Sequence, residues 1–108
     1  MTGHVIVAGT DEDDIGDALA ELTTVERVDV GNRPALEEAG IHDAVAYVLT
    51  EVEQATSIAV AKDLNPDLKV VVYSRDSLPE FAKGQADLAI DPKLLDPEAV
   101  AEELLADE

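Results

Sequence analysis

Short apolar runs alternate along the whole chain with amphipathic stretches. Five such runs are present: His4–Ala8, Val25–Val30, Ala44–Leu49, Lys69–Tyr73 and Leu88–Ile90. The first, third and fourth are almost continuously apolar and contain many β-branched residues, which is typical of parallel strands covered on both faces. The second run interleaves charged residues with valines, which suits a strand at the edge of a sheet.

Helix-start and helix-stop residues stand in each intervening stretch. Three pairs have the spacing of an N-cap followed by a first-turn acid: Thr10 and Asp13, Thr50 and Glu53, Ser77 and Glu80. Helix starts are also predicted at Pro34 and Asp96, and helix ends at Gly40, Asn65 and Gly84. The pattern therefore predicts five helices between and after the strands.

Strand–helix alternation with short connections implies a parallel sheet with right-handed crossovers and helices on both faces. Five such units predict the strand order 2-1-3-4-5 of a doubly wound, Rossmann-like or flavodoxin-like α/β domain. A chain of 108 residues has the usual length of one domain. We therefore expect residues 1–108 to form a single three-layer α/β domain.

The chain is strongly acidic, with 25 Asp and Glu residues against seven Lys and Arg and a net charge of -18. Because 46% of the residues are apolar and fall in ordered blocks, the acids must coat a folded domain rather than form a disordered tail. Such charge density destabilises a compact state in dilute salt, whereas molar salt shortens the screening length to about 3 Å. The composition favours a cytoplasmic protein of a salt-accumulating, halophilic cell.

Several classes of site and partner are disfavoured by the sequence. The chain has no cysteine, which excludes disulfides and thiolate chemistry. Its apolar runs are far shorter than a bilayer span, and no basic signal region precedes the first run, so we expect no membrane insertion. Arg27 and Arg33 are the only basic residues before Lys62, so nucleic-acid binding, which needs clustered Lys and Arg, is not expected.

Four segments carry a resemblance to a known family: residues 36–50, 59–67, 69–73 and 84–92. They resemble the Rossmann-type regulatory domains that gate potassium transport, the RCK or Trk N-terminal family, over roughly residues 4–92. The resemblance implies a dinucleotide or adenine nucleotide bound on a glycine loop after the first strand.

The corresponding loop here departs from that pattern. Gly9 matches the first glycine, but the middle glycine that lets the backbone approach a pyrophosphate is absent. Residues 11–14 are four consecutive acids. At an effective dielectric near 20, a carboxylate about 4 Å from a phosphate costs about 4 kcal/mol. Classical NAD binding is therefore not expected.

The whole chain is also similar to small halophilic archaeal proteins, some of which are labelled CTP synthetases. That activity requires a phosphate-binding loop and, for glutamine hydrolysis, a cysteine nucleophile. The chain has neither, so the label carries little weight.

The predicted strand order also resembles that of response-regulator receiver domains. Acids follow the first strand, and Ser74 ends the fourth, where that family has Thr or Ser. The family's phosphoacceptor Asp should end the third strand, but Thr50 stands there, and the Lys-Pro of the fifth strand is replaced by Asp91-Pro92. A receiver-like domain with this sequence would signal without a phosphoacceptor.

Open α/β sheets bind ligands at the carboxyl ends of their strands, where neighbouring crossovers diverge. The candidate site residues there are Gly9, Thr10, Asp11, Asp13, Asp14, Thr50, Glu51, Ser74, Arg75 and Asp76. Carboxylates of Asp11, Asp13 and Asp14 are suitable ligands for Mg²⁺ or K⁺. Their simpler interpretation is that acids complement the start of a helix.

The sequence shows no nucleophile–base–acid set, so the main functional hypothesis is a non-catalytic regulatory module that binds a protein partner or a small ligand. Two alternatives stay open: a metal-assisted nucleotide-handling enzyme, and a degenerate receiver-like signalling domain. The sequence assigns no cofactor beyond the candidate ions Mg²⁺ and K⁺, and a homodimer stays open as an alternative to a protein partner.

Overall fold

The computed structural model describes residues 4–106. Its sheet has five parallel strands in the order β2-β1-β3-β4-β5. The strands are β1 (Val5–Ala8), β2 (Val25–Val28), β3 (Ala46–Leu49), β4 (Lys69–Tyr73) and β5 (Leu88–Ile90). The predicted order and all-parallel pairing are confirmed. The prediction of one domain over residues 1–108 extends beyond the described residues at both ends.

Five helices flank the sheet, as predicted. They are α1 (Ile15–Ala20), α2 (Arg33–Glu38), α3 (Thr56–Leu64), α4 (Glu80–Lys83) and α5 (Pro97–Leu105), with short 3₁₀ turns at Ile41–Asp43 and Val52–Gln54. Within residues 4–106, no helix is both long and apolar enough to cross a membrane.

The sheet separates two apolar cores. One contains Ile6, Tyr47 and Val70 together with residues of α2, α3 and α4, and the other contains Val5, Val48 and residues of α1 and α5. Successive strand residues point to opposite faces, so alternate positions of one strand supply both cores. Every residue of β1 and β3 is buried, which confirms the three-layer arrangement expected for the central strands.

Two predicted helix starts are confirmed by their hydrogen bonds. The Asp96 carboxylate accepts from the Ala99 amide at 2.9 Å at the start of α5. Pro34 lies in the first turn of α2, where the Asn32 side chain caps the helix. Asn65 ends α3 as predicted, and its side-chain amide donates to the Ile41 and Ala44 carbonyl oxygens in the connection between α2 and β3.

The three predicted Ser and Thr caps are wrong. Helix α1 begins after Asp14, which has a positive φ of 62° and makes no side-chain cap bond. The Thr50 hydroxyl instead bonds the loop after β1, and α3 begins six residues later at Thr56. Helix α4 follows Pro79, without a cap from Ser77. Local spacing did not show that the hydroxyls of Thr10 and Thr50 bond to residues distant in the chain.

Candidate functional site

A crevice of about 450 Å³ lies at the carboxyl edge of the sheet, between the loops that follow β1, β3 and β4. Neighbouring crossovers diverge at this place in a 2-1-3-4-5 sheet. The predicted site residues that line it are Thr10, Asp11, Asp13, Thr50, Glu51, Ser74, Arg75 and Asp76. Gly9 and Asp14 do not line it, whereas Glu12, Glu53 and Tyr73 do. We call this region the carboxyl-edge crevice.

Gly9 lets the first two of these loops approach each other. Its φ is +99°, and a Cβ at this position would lie 2.7 Å from Thr50 Oγ1 and 2.9 Å from Glu51 Cγ. An L side chain is disfavoured both by this backbone conformation and by those contacts. Glycine is therefore required here for close packing of the loops after β1 and β3.

Thr50 also connects the loops after β1 and β3. Its Oγ1 lies 3.0 Å from the Ala8 carbonyl oxygen and 2.5 Å from the Thr10 carbonyl oxygen. A hydroxyl has one hydrogen to donate, and both acceptors belong to the chain itself. The side chain that follows β3 thus serves as an internal tie.

Glu51 is held as a fixed carboxylate beside Thr50. The Thr10 hydroxyl and the Gln54 side-chain amide each donate to it at 2.6 Å. These two hydrogen bonds, that of Thr10 first, lower the pKa of the Glu51 carboxyl. Gln54 also donates to the Asp29 carbonyl and accepts from the Gly31 amide, so Glu51 belongs to a network that extends to the loop after β2.

Asp13 and Arg75 bridge the opposite side of the crevice. The Arg75 guanidinium donates to the Asp13 carboxylate at 2.7 Å and joins the loop after β4 to the loop after β1. The Arg75 side chain is 61% exposed, so the pair is a surface salt bridge with a value of about 0.2–1 kcal/mol.

The Asp11 carboxylate accepts three hydrogen bonds. One oxygen accepts from the Ile15 amide at 2.8 Å, and the other accepts from the Gly16 amide at 2.9 Å and from Arg27 at 2.7 Å. Asp11 therefore supplies the cap of α1 that the sequence analysis assigned to Thr10. Its hydrogen bond and charge raise the pKa of Arg27, whose guanidinium also contacts Asp17.

The three predicted metal ligands have different surroundings. Asp11 caps α1, Asp13 pairs with Arg75, and Asp14 is the left-handed residue before the helix. Among residues 4–106, no three His, Asp or Glu side chains form a group that could hold a metal ion. Binding of Mg²⁺ or K⁺ by these acids stays a prediction.

The remaining crevice residues make turn contacts. The Asp76 amide donates to the Ser74 hydroxyl at 3.1 Å, which fixes the turn after β4. The buried Tyr73 donates its hydroxyl to the Leu95 carbonyl, in the loop after β5, at 2.7 Å. Burial, together with the nearby Asp13 charge, raises the pKa of Tyr73 to about 12, so its phenol stays protonated at neutral pH.

Sequence analysis missed Arg27 and Gln54. Arg27 is one of two basic residues in the first 61, and a lone cation that follows an acidic loop is expected to pair with it. That signal was available. Gln54 gave no comparable signal, because an amide three residues after Glu51 is equally compatible with an exposed helix position.

The fold is similar to those of solved receiver domains. A CheY-like receiver domain from Methanospirillum hungatei JF-1 has a TM-score of 0.73 and 18% identity, over 99% of this chain and 94% of that one. The BeF3-activated DrrB receiver domain has a TM-score of 0.72 and 18% identity, over 98% of this chain and 99% of that one.

A Trk-type domain is a further structural neighbour. The TrkA-N domain of the inner membrane protein ybaL from Escherichia coli has a TM-score of 0.55 and 12% identity, over 98% of this chain and 96% of that one. This TM-score is lower than those of the two receiver domains. At these identities, the three comparisons show the fold alone.

Comparison with curated proteins gave no sequence match. The model of a family of unknown function, DUF7126, matches residues 5–104, which include all five strands and nearly all of α5. The chain belongs to this family.

Proposed function

We propose that this protein is a receiver-like regulatory module that acts through protein contact, without phosphoryl transfer to its third strand. The observation that carries the proposal is Thr50, which follows β3 where a receiver domain has its phosphoacceptor. Its hydroxyl is directed at the carbonyl oxygens of Ala8 and Thr10. An alcohol held in this way, with no general base bonded to it, is a poor acceptor.

The charge of the carboxyl-edge crevice supports the same proposal. Its lining contains six carboxylates and one guanidinium, that of Arg75, which is already bonded to Asp13. A phosphate placed about 4 Å from a carboxylate at an effective dielectric near 20 meets a repulsion of about 4 kcal/mol. Asp91, where receivers have lysine, uses one oxygen to accept from the Lys93 amide. Phosphoryl groups and the pyrophosphate of NAD are thus disfavoured alike.

The metal-assisted nucleotide-handling alternative has less support. It needs acids that converge on an ion, and no such group exists among the described residues. Asp11 and Asp13 are instead bonded to arginines. A role in gating potassium transport, which the Trk-like segments imply, is likewise secondary to the receiver-like interpretation.

The surface charge favours a salt-rich setting for this module. With a net charge of -18, self-repulsion opposes the compact state in dilute salt and is screened in molar salt. We infer that the protein works in the cytoplasm of a cell that accumulates salt.

Phosphoryl transfer can be tested directly. The protein is incubated with acetyl phosphate and Mg²⁺ in molar KCl, and its intact mass is then measured. We expect no mass increase, because Thr50 is engaged and the crevice is acidic. A phosphate adduct that disappears in the Thr50→Val variant would overturn the proposal.

A further inference from the structure

The far edge of the sheet differs from the crevice. Strand β5 is last in the strand order and pairs only with β4. The Ser74 amide donates to the Ile90 carbonyl at 3.1 Å, so the backbone polar groups of Ile90 face β4. Because successive residues of a strand direct these groups to opposite sides, the N–H and C=O of Ala89 face away from the sheet.

This edge is apolar and open. Leu88 and Ala89 are exposed and Ile90 is half-buried. Edge strands are commonly protected by shortness, charged side chains, proline or bulges, and of these β5, with three residues, has shortness alone. The other edge, β2, carries Glu26 and Arg27, whereas the three residues of β5 carry neither a charge nor a proline.

Exposed apolar side chains are concentrated in the segment of the chain that contains this strand. Of the six large hydrophobic residues that are exposed among residues 4–106, four lie between positions 81 and 95: Phe81, Leu88, Leu94 and Leu95. A groove of about 430 Å³ runs beside β5 and is lined by the strand itself, by Leu78 and Lys83, and by the loop after β4. We call β5 and these neighbours the β5 edge.

We propose that the β5 edge binds an extended, basic segment of a partner protein, which adds to the sheet as a sixth strand beside β5. This proposal rests on the proposed function, since it names the surface through which the module acts. Strand addition obtains affinity from main-chain hydrogen bonds, and pockets for alternate side chains give specificity. The outward N–H and C=O of Ala89 supply the main-chain hydrogen bonds, and the groove supplies the pockets for side chains.

Charge selects the partner. The chain has a net charge of -18, and Asp87 and Asp91 stand at the two ends of β5. Two nearby lysines are already paired, Lys62 with Asp87 and Lys83 with Glu80. A second copy of this chain would bring a second set of these acids to the interface, whereas the lysines of a basic segment can contact Asp87 and Asp91 directly, the range at which salt screens least. The occupant is therefore a basic strand with apolar residues at alternate positions.

The test uses a synthetic peptide of alternating valine and lysine, with an alternating valine and glutamate peptide as its charge control. Amide chemical shifts and hydrogen exchange are followed on the full chain at moderate salt. We expect the lysine peptide to shift the signals of residues 88–90 and to protect the Ala89 amide from exchange. Equal binding of the glutamate peptide, or no binding of either, would overturn the proposal.

Two proline variants locate the contact. Ala89→Pro removes the outward N–H of β5, and proline is tolerated on edge strands. Its peptide binding should weaken by about tenfold, the effect of losing about 1.4 kcal/mol of main-chain bonding. Val25→Pro on β2 is the matched control, because the Val5 amide bonds the Thr24 carbonyl and the groups of Val25 therefore face outward. It should bind as the unmodified chain does.

If Ala89→Pro fails to fold by circular dichroism, Leu88→Ser tests the same contact without a backbone change or a new charge, since Leu88 is 45% exposed. It should weaken peptide binding, and unchanged binding would overturn the proposal. Self-association through β5 that excludes the peptide would also overturn it. Absence of peptide binding together with absence of phosphorylation refutes only this docking site, whereas phosphorylation at Thr50 refutes the proposed function itself.

Discussion

The carboxyl-edge crevice and the β5 edge are both surface features of one sheet, but their polar groups are satisfied differently. In the crevice, the hydroxyl of Thr50 and the carboxylates of Glu51, Asp11 and Asp13 bond to groups of the same chain. At the β5 edge, the backbone groups of Ala89 face outward beside exposed leucines. Polar groups that already bond within the chain are not free to bind a ligand. An open strand edge presents backbone hydrogen-bonding groups and apolar surface to a partner.

Salt concentration should have the largest effect on stability, and we expect that effect to come from the crevice rather than from the β5 edge. Carboxylates crowd the crevice, so screening in molar KCl should stabilise the fold strongly. A gain of about 2 kcal/mol corresponds to a rise in Tm of roughly 10 °C for a domain of this size. Thermal unfolding from low to multi-molar KCl, followed by circular dichroism, measures it, and a flat response would contradict the salt-adapted interpretation.

Variants make this measurement specific to one region. Replacement of Glu12, a crevice acid, by Gln should make the salt dependence less steep. Replacement of Leu94 by Ser should leave it unchanged, because Leu94 is 79% exposed and uncharged. Equal salt dependence in the two variants would show that charge does not distinguish the regions.

Gly9→Ala should be the most damaging single substitution in the crevice. The new Cβ would meet Thr50 Oγ1 at 2.7 Å in a left-handed conformation with φ +99°, at a cost of about 1–3 kcal/mol in the free energy of unfolding. Gly84→Ala is the control, because it has an ordinary helical φ and no atom within 4 Å. Urea unfolding should show a loss for the first and little change for the second.

Acid should weaken the crevice network through Glu51. Hydrogen bonds from Thr10 and Gln54 lower its pKa below the ordinary 4.5, so its contribution to stability is present above that value and is lost as pH falls through the lower folded pKa. Glu51→Gln should therefore reduce the loss of stability between neutral pH and about pH 3. An unchanged acid profile would show that the network does not depend on the ionised carboxylate.

The Asp13–Arg75 bridge should give the smallest effect. A double-mutant cycle with Asp13→Asn and Arg75→Gln should return a coupling energy of about 0.2–1 kcal/mol at low salt. Because the pair is exposed, the coupling should largely disappear at molar KCl. A coupling that persists there would mean that the bridge is more than a surface contact.

The sequence predicted the strand order, the five helices and the gathering of the loops after β1, β3 and β4, because these follow from apolar periodicity and topology. It did not predict how individual polar groups are used. Thr50 and Thr10 have the spacing of helix caps, yet their hydroxyls bond across the sheet edge. Asp11 was expected either to bind a cation or to complement the start of a helix; it does cap α1, and its bond to Arg27 was not predicted. Such partners are distant in sequence, so local spacing cannot show them.

The open β5 edge was also absent from the sequence prediction. Leu88–Ile90 is an apolar run like those of the central strands, and such a run is equally compatible with a buried strand. The predicted order already places this run at an end of the sheet, as the structure confirms, but the sequence pattern did not show that Leu88 and Ala89 are exposed there.

One titration series tests the central claim most directly, namely that this protein acts through an open strand edge and not through its crevice. Amide chemical shifts of a single sample are recorded with Mg²⁺, then after addition of beryllium fluoride, and then with the valine–lysine peptide. The account predicts that beryllium fluoride causes no change near Thr50 and Asp13 beyond that of Mg²⁺ alone, and that the peptide shifts the signals of Leu88–Ile90. Saturable shifts around Thr50 with beryllium fluoride, and none at β5 with the peptide, would contradict it.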